Sequence, residues 1–475
     1  MGAALKRLSV ILLAALALVG CRRGNPSKVE PWVWPGANRF NTFFFAQTGT
    51  QPRPALRYAE VWNAEWFDLP QMAPVPALAH ASHRPLVVDL DHDGRPEIVT
   101  SPFSSPPGVM LNADGVPYAG RDQDGVDWSL IESDTARIVL GDSAGWTLLP
   151  ESSRSRPQPS SNALALLLNR QLVTLQVVLD SNVPFSDRTI ECRNGEDGVL
   201  RWRYAFGARP DLMAVADLDG DGSDELLVTT HGEENGGSAN GTRDSDSCYC
   251  VALRGDGTRL WQRGFGAHSF IGCLAGVADL DRDGKQEVFV PVYSWQNDFG
   301  GLAVLDGATG EVIAASPGPD SVPVSHVSAG CADVDADGRP ELAVAVSGTR
   351  AEVLLYRLEE GRLTLAARRM LSKVSDSGEV SDSRLHAICD LNGDGKCELV
   401  VSRAHKRMIC RDPMFYPTEY DSCALQILDS GLDSRQEIPL AVQCQDVTLG
   451  DVVPGGNIEL LVVTDRLRLY STEAE

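Results

Sequence analysis

Five nine-residue stretches place oxygen-bearing side chains at positions 1, 3, 5 and 9. They are Asp89, Asp91, Asp93 and Glu97; Asp217, Asp219, Asp221 and Glu225; Asp279, Asp281, Asp283 and Glu287; Asp333, Asp335, Asp337 and Glu341; and Asp390, Asn392, Asp394 and Glu398. The stretches read DLDHDGRPE, DLDGDGSDE, DLDRDGKQE, DVDADGRPE and DLNGDGKCE, so the last has Asn at position 3. Carboxylates crowded into one turn repel each other, by roughly 1 kcal/mol per pair at 4 Å even in water. Hard oxygens in an irregular cage suit Ca²⁺. Gly at position 6 permits the sharp turn, and position 7 (Arg95, Ser223, Lys285, Arg339, Lys396) supplies a backbone carbonyl. An EF-hand would need Glu at position 12 and flanking helices, whereas strand-like runs such as IVT and VFVPV follow here. A single copy could be a metal-free Asp-Gly turn, but five copies predict about five calcium ions with a structural role. No His or second carboxylate pair is placed to activate water, so no catalytic residue is assigned.

The loops start at residues 89, 217, 279, 333 and 390, spaced by about 60 residues with one gap of about twice that. The wide gap predicts a worn copy between Ile138 and Phe206. A last worn copy, DVVPGGNIELLVV, starts at Asp451, where Val453 and Gly455 at positions 3 and 5 leave no cage for an ion. Within a unit, FIGCLAGVADL, EVFVPVY, GLAVLDG and EVIAAS read as four short strands joined by Gly-rich turns. Repeated four-stranded antiparallel units without intervening helices predict an all-β, seven-bladed β-propeller. The final unit supplies only two clear strands, IELLVV and RLRLY. YAEVWNAEWF, Tyr58 to Phe67, has the outer-strand pattern of RLWQRGF and is predicted to pair with residues 458–470 and close the ring; the alternative is an extra edge strand.

These loops and strands resemble the FG-GAP and VCBS repeats of integrin-α-like β-propellers, over most of the chain beyond about residue 85. The Phe-Gly element stands as Phe206-Gly207 and Phe265-Gly266. The Gly-Ala-Pro element is missing, and Glu replaces the Asp commoner at position 9. The resemblance implies a calcium-bearing scaffold for adhesion or protein binding, with no particular ligand.

Residues 1–20 read as a secretory leader, with Lys6 and Arg7 ahead of an apolar run from Leu8 to Val19 that is too short for a stable transmembrane helix. Leu18-Val19-Gly20-Cys21 matches a bacterial lipobox, which makes Cys21 the expected lipidation site, with an ordinary cleaved signal as the alternative. Arg22 and Arg23 follow it, with no retention Asp, which favours the outer membrane. Residues 21–55 read as a tether and 56–475 as the ring. A net charge of -23 excludes nucleic acid as a partner. Export permits disulfides, and Cys410 with Cys423, bracketing a Pro-containing insertion, is the best candidate pair. Cys273, Cys331 and Cys389, just before loops, read as buried thiols, and Cys248-x-Cys250 as a structural pair of residues.

If the acidic loops join the first and second strands of each blade, the long insertions between second and third strands gather on the opposite rim. There Trp295, Phe299, Phe415, Tyr416 and Tyr420 offer aromatic surface to a protein or glycan, or pack the loops onto the blades. Gly141-Asp142-Ser143-Ala144-Gly145 matches G-x-S-x-G, but the strand-like WTLLP after it does not make the required strand-to-helix elbow. His80 and His83 read as local hydrogen-bonding groups. The resulting expectation is a membrane-anchored, non-catalytic binding scaffold at the cell envelope. The rivals are a propeller enzyme acting on polysaccharide, similar to lyases on related rings, and a purely structural assembly subunit.

Overall fold

Alternating apolar runs broken by Gly and Asp turns fold as strands throughout. The computed structural model describes residues 57–65, 85–88, 95–99, 110–116, 137–140, 146–149, 165–168, 171–177, 188–194, 199–231, 237–243, 248–265, 270–271, 275–294, 299–316, 324–373, 379–408, 418–453, 457–464 and 466–472. Among them every regular element is a strand, and the chain is all-β.

The unit that carries the acidic loops is a four-stranded antiparallel meander in chain order. One runs Arg209–Ala216, Glu225–His231, Tyr249–Leu253 and Arg259–Gly264. In the next, Phe270–Ile271 and Gly276–Ala278 both pair with Glu287–Ser294, followed by Phe299–Asp306 and Val312–Ser316. Two further units, Val324–Ala332 to Arg362–Lys373 and Glu379–Cys389 to Ser434–Leu440, are joined by the single pair Gly348↔Ser381. The last sheet holds Asp446–Gly450, Glu459–Val463 and Arg466–Thr472, and its fourth strand is Tyr58–Glu65, antiparallel to Arg466–Thr472.

From the sheet that opens with Arg209–Ala216 to the last, the sheets lie face to face in chain order, each with two apolar faces to cover. One core joins Leu227, Ala252 and Trp261 to Val288 and Leu305, and the next joins Phe289 and Val304 to Val327, Leu342 and Tyr356. A third joins Val353 to Leu399, and a fourth joins Val400 and Ile427 to Leu449, Leu460 and Tyr58. Beyond the last sheet, Leu461 and Leu469 meet Val87, Ile98 and Leu111 of the sheet Leu86–Val88, Glu97–Val99 and Met110–Leu111. Cover on both sides explains why all eight residues of Glu341–Gly348 are buried, while the outer strand Arg362–Lys373 is mostly exposed.

A repeated latch ties neighbouring sheets. Trp202, Trp261 and Trp62 stand on outer strands, and each indole lies on a glycine of the next sheet's hairpin turn: Gly257, Gly310 and Gly115, all at positive φ. The indole N–H groups donate to Gly255, Gly307 and Ala113 carbonyls at 2.9, 2.7 and 2.9 Å. A Cβ at these glycines would sit under 3 Å from the ring, so the turn and the tryptophan specify one another.

Two regions depart from the simple meander. The segment read as one worn repeat carries six strands, with the hairpin Arg137–Leu140 and Trp146–Leu149 added through one parallel bridge, Leu140↔Leu166. The Gly141–Gly145 motif lies outside the described residues, but a strand paired antiparallel follows it, not a helix. The insertions at Trp295 and at Phe415 are shorter as loops than the sequence suggests, because the strands run on into them. Ser294 pairs with Phe299 and Lys406 with Tyr420, placing both aromatic residues on strands; extended backbone pairing outcompetes the turn chemistry there. Trp295, Phe415, Tyr416, Cys410, Cys273, Cys21, His80 and His83 lie outside the described residues, as does the apolar leader. No helix of the described residues is long and apolar enough to cross a membrane.

Candidate metal centre

The four described acidic loops and the worn Asp451 copy are built from the same contacts. Position 2 is an apolar anchor, and Leu218, Leu280, Val334, Leu391 and Val452 are all buried. Position 9 opens the second strand with its side chain beneath the loop, where Glu225, Glu287, Glu341, Glu398 and Glu459 are at most 5% exposed. The glutamate's Oε2 accepts the backbone N–H of position 2 in all five, at 2.9, 2.7, 2.8, 2.9 and 2.8 Å. In the four loops with position-6 glycine described, the position-1 Asp accepts that N–H at 2.9 to 3.1 Å, from Gly222, Gly284, Gly338 and Gly395. These glycines have φ from +87° to +90°, a region closed to side chains, so this N–H can turn inward only at glycine.

The result is convergence of oxygen. Asp217, Asp219 and Glu225, then Asp279, Asp281 and Glu287, then Asp333, Asp335 and Glu341, each bring three carboxylate oxygens within 4.8 Å of one another. The position-5 aspartates Asp221, Asp283 and Asp337 each accept the N–H of position 7, Ser223, Lys285 and Arg339, at 2.7 to 2.8 Å. The Asp279 and Asp333 Oδ1 atoms are buried and accept no hydrogen bond. A desolvated carboxylate oxygen without a donor is costly unless a cation faces it, and an all-oxygen set suits a hard divalent ion. Burial, reinforced by the neighbouring aspartates, pushes Glu225 and Glu287 up to about 7. Asp279 and Asp333 are raised for the same reason.

Two loops differ. In the Asp390 loop, the Asn392 amide donates to Glu398 Oε1 at 2.7 Å and to Asp394 Oδ2 at 3.2 Å, so a neutral NH₂ stands at position 3, where the Asp217, Asp279 and Asp333 loops carry a carboxylate. Burial pushes Glu398 up to about 8. In the Asp333 loop, Arg357 reaches in from Arg350–Glu359, touching Glu341, Asp335 and Asp337 at 2.6, 2.8 and 3.0 Å. The loop motif gives no sign of Arg357; the signal is its place on the third strand, opposite Glu341. Of the first loop, Asp89, Asp91 and Asp93 lie outside the described residues, while Arg95 is exposed and Glu97 opens a strand.

Among the described residues every cysteine is buried, Cys248, Cys250, Cys331 and Cys389 included, and burial pushes the Cys248 thiol up to about 12. Cys423 is buried on Thr418–Leu428. Ser402, His386 and Asp446 align in the order of a nucleophile triad, with His386 Nε2 2.8 Å from Ser402 Oγ and Nδ1 3.5 Å from Asp446 Oδ1. All three are buried at 3% exposure or less, between two stacked sheets, so the constellation stitches sheets and offers no nucleophile to a substrate.

No family model and no curated protein matches the chain. Solved structures similar to it include the Dos1 propeller, 11% identical over 71% of this chain and 93% of that one, with a TM-score of 0.37. Others are the rhamnogalacturonan lyase YesW, 15% identical over 65% and 74% with a TM-score of 0.30, and the dihydro-heme d1 dehydrogenase NirN, 13% identical over 83% and 81% with a TM-score of 0.38. Superpositions this loose tie the chain to no activity.

Proposed function

We propose that the chain is a calcium-braced, seven-bladed β-propeller, anchored through Cys21 at a bacterial cell envelope, which binds a protein or glycan without catalysing a reaction. The FG-GAP and VCBS resemblance of the acidic loops supports the propeller, as do sheets stacked in chain order from Arg209 onward with the last one against the sheet that opens with Leu86–Val88. The observation that carries the calcium is the Asp279 loop, where Asp279, Asp281 and Glu287 converge around a buried oxygen that accepts no hydrogen bond. Those three carboxylates, with the Lys285 carbonyl, would hold the ion. Bound calcium supplies the positive charge that lets a hairpin of like charges close, and so links folding stability to free Ca²⁺.

The metal leaves the rim opposite the loops for recognition. The hairpins that run to Ser294 and Met408 carry Phe299 and Tyr420 on their strands, and in sequence Trp295, Phe415 and Tyr416 fall between those strands. The test is calorimetry and thermal unfolding of the soluble ectodomain in EDTA and in millimolar CaCl₂, with a glycan array and envelope pull-down in both. Heat of calcium binding and a rise in melting temperature are expected. Identical melting with no heat of binding overturns the calcium reading, and the absence of any partner in both conditions overturns the binding role.

A further inference from the structure

The residue that faces the loop glutamate across the second and third strands differs from sheet to sheet. The registers Leu226↔Leu253, Glu287↔Asp306, Leu342↔Tyr356, Leu399↔Leu428 and Leu460↔Tyr470 place there Arg254, Asp306, Arg357, Asp429 and Ser471. Asp306 and Asp429 are spent on their own hairpin turns. Asp306 Oδ1 accepts Thr309 N–H and O–H at 2.8 and 2.7 Å, and Asp429 Oδ1 accepts Gly431 and Asp433 N–H at 2.9 and 2.8 Å. Arg254 also stands at its turn, with a side chain 43% exposed and only a 3.6 Å approach to Asp219.

The Asp333 sheet is built differently. Its third and fourth strands run on to Glu359 and Arg362, so the turn falls at Glu360 and Gly361, at φ +50° and +71°, beyond position 357. Position 357 is therefore a strand residue, free to carry a long side chain back over the loop. The Arg357 Nε donates to Glu341 Oε1 at 2.7 Å, and its Nη2 contacts Glu341, Asp335 and Asp337. Of the four loop carboxylates, three meet one guanidinium, while Asp333, whose buried Oδ1 has no donor, is not among them. A guanidinium is always charged and offers its donors in a fixed fork, so it neutralises carboxylates without an external ion.

We propose that Arg357 is a built-in counter-ion, holding in the Asp333 loop the place that Ca²⁺ takes in the Asp217 and Asp279 loops. This rests on the calcium reading of those loops. One chain thus mixes loops that demand external cation with a loop that brings its own, and the Asp333 sheet stays folded when calcium is withdrawn.

The test is calcium titration calorimetry and thermal unfolding of the whole ectodomain carrying Arg357→Gln, with Arg357→Lys and Asp281→Asn alongside. Arg357→Gln is expected to take up one more Ca²⁺ per chain than wild type, to melt below wild type in EDTA, and to recover in millimolar CaCl₂. Arg357→Lys, which keeps the charge, is expected to gain no ion, and it keeps the question answerable if the Gln variant does not fold: a Lys variant that takes up the extra ion overturns the inference. Asp281→Asn is expected to lose one ion. A wild type that takes up no Ca²⁺ sinks the calcium reading before any variant is made. A wild type that binds Ca²⁺, with an Arg357→Gln ion count unchanged, sinks only the assignment of Arg357.

Discussion

The indole of Trp62 donates to the backbone carbonyl of Ala113 at 2.9 Å, with its ring lying on Gly115. This places the outer strand Tyr58–Glu65 against the hairpin turn of the next sheet, in the same way that Trp202 meets Gly255 and Trp261 meets Gly307. Trp62→Ala removes the hydrogen bond and a half-buried ring. It is expected to destabilise the fold by about 2 to 3 kcal/mol, below the roughly 3 to 5 kcal/mol of a fully buried aromatic because the ring is only half-buried. Thermal or urea unfolding reads this directly; a variant with wild-type stability would show that the strand is not structurally coupled to residues 110–116.

Asp281 is the position-3 carboxylate of the loop in which buried Asp279 Oδ1 has no donor. Asp281→Asn keeps the shape and removes a charge. The calcium-dependent part of the stability is expected to fall by about 2 to 3 kcal/mol, the mass-action stabilisation of one site at a hundredfold excess of calcium over Kd. Melting in CaCl₂ against EDTA measures it, and an undiminished difference would remove Asp281 from the site.

Asn392 already bridges Asp394 and Glu398 with an uncharged amide. Asn392→Asp converts a bridging donor into a fourth carboxylate. In EDTA the variant is expected to melt lower, by about 1 to 3 kcal/mol for carboxylates left unsatisfied. In millimolar CaCl₂ the deficit is expected to close with a gain of one ion. Equal loss in both conditions would mean that this loop cannot be turned into a cation site.

Glu459 belongs to the worn loop, and its carboxyl is fully buried, accepting Val452 and Val453 N–H and the Ser471 hydroxyl. Burial holds it up at about 7 against an ordinary 4.5. A folded-state value above the unfolded one means that the stabilisation is fully present below pH 4.5 and is lost as pH rises through 7. The total is on the order of 3 kcal/mol. Glu459→Gln preserves the acceptor and removes the titration. In saturating CaCl₂ its stability relative to wild type is expected to rise between pH 4.5 and 8, and a constant difference across that range would contradict the burial argument.

The acidic motif was legible residue by residue, because a turn needing positive φ at Gly222, Gly284, Gly338 and Gly395, and oxygens at fixed spacing, is specified locally within nine residues. The four-strand rhythm was legible too, since alternating apolar runs are a property of the strand itself. Strand lengths in the insertions were not: whether Phe299 and Tyr420 stand on loops or strands depends on partners across the hairpin, and pairing with Ser294 and Lys406 extended the sheets. The sequence alone determined that acids would gather in the five D-x-D/N-x-D-G loops. Only the tertiary structure decided what answers their charge, because Arg357 and Ser471 meet the loop glutamates through register and hairpin length, and an electrostatic partner is chosen by distance in space.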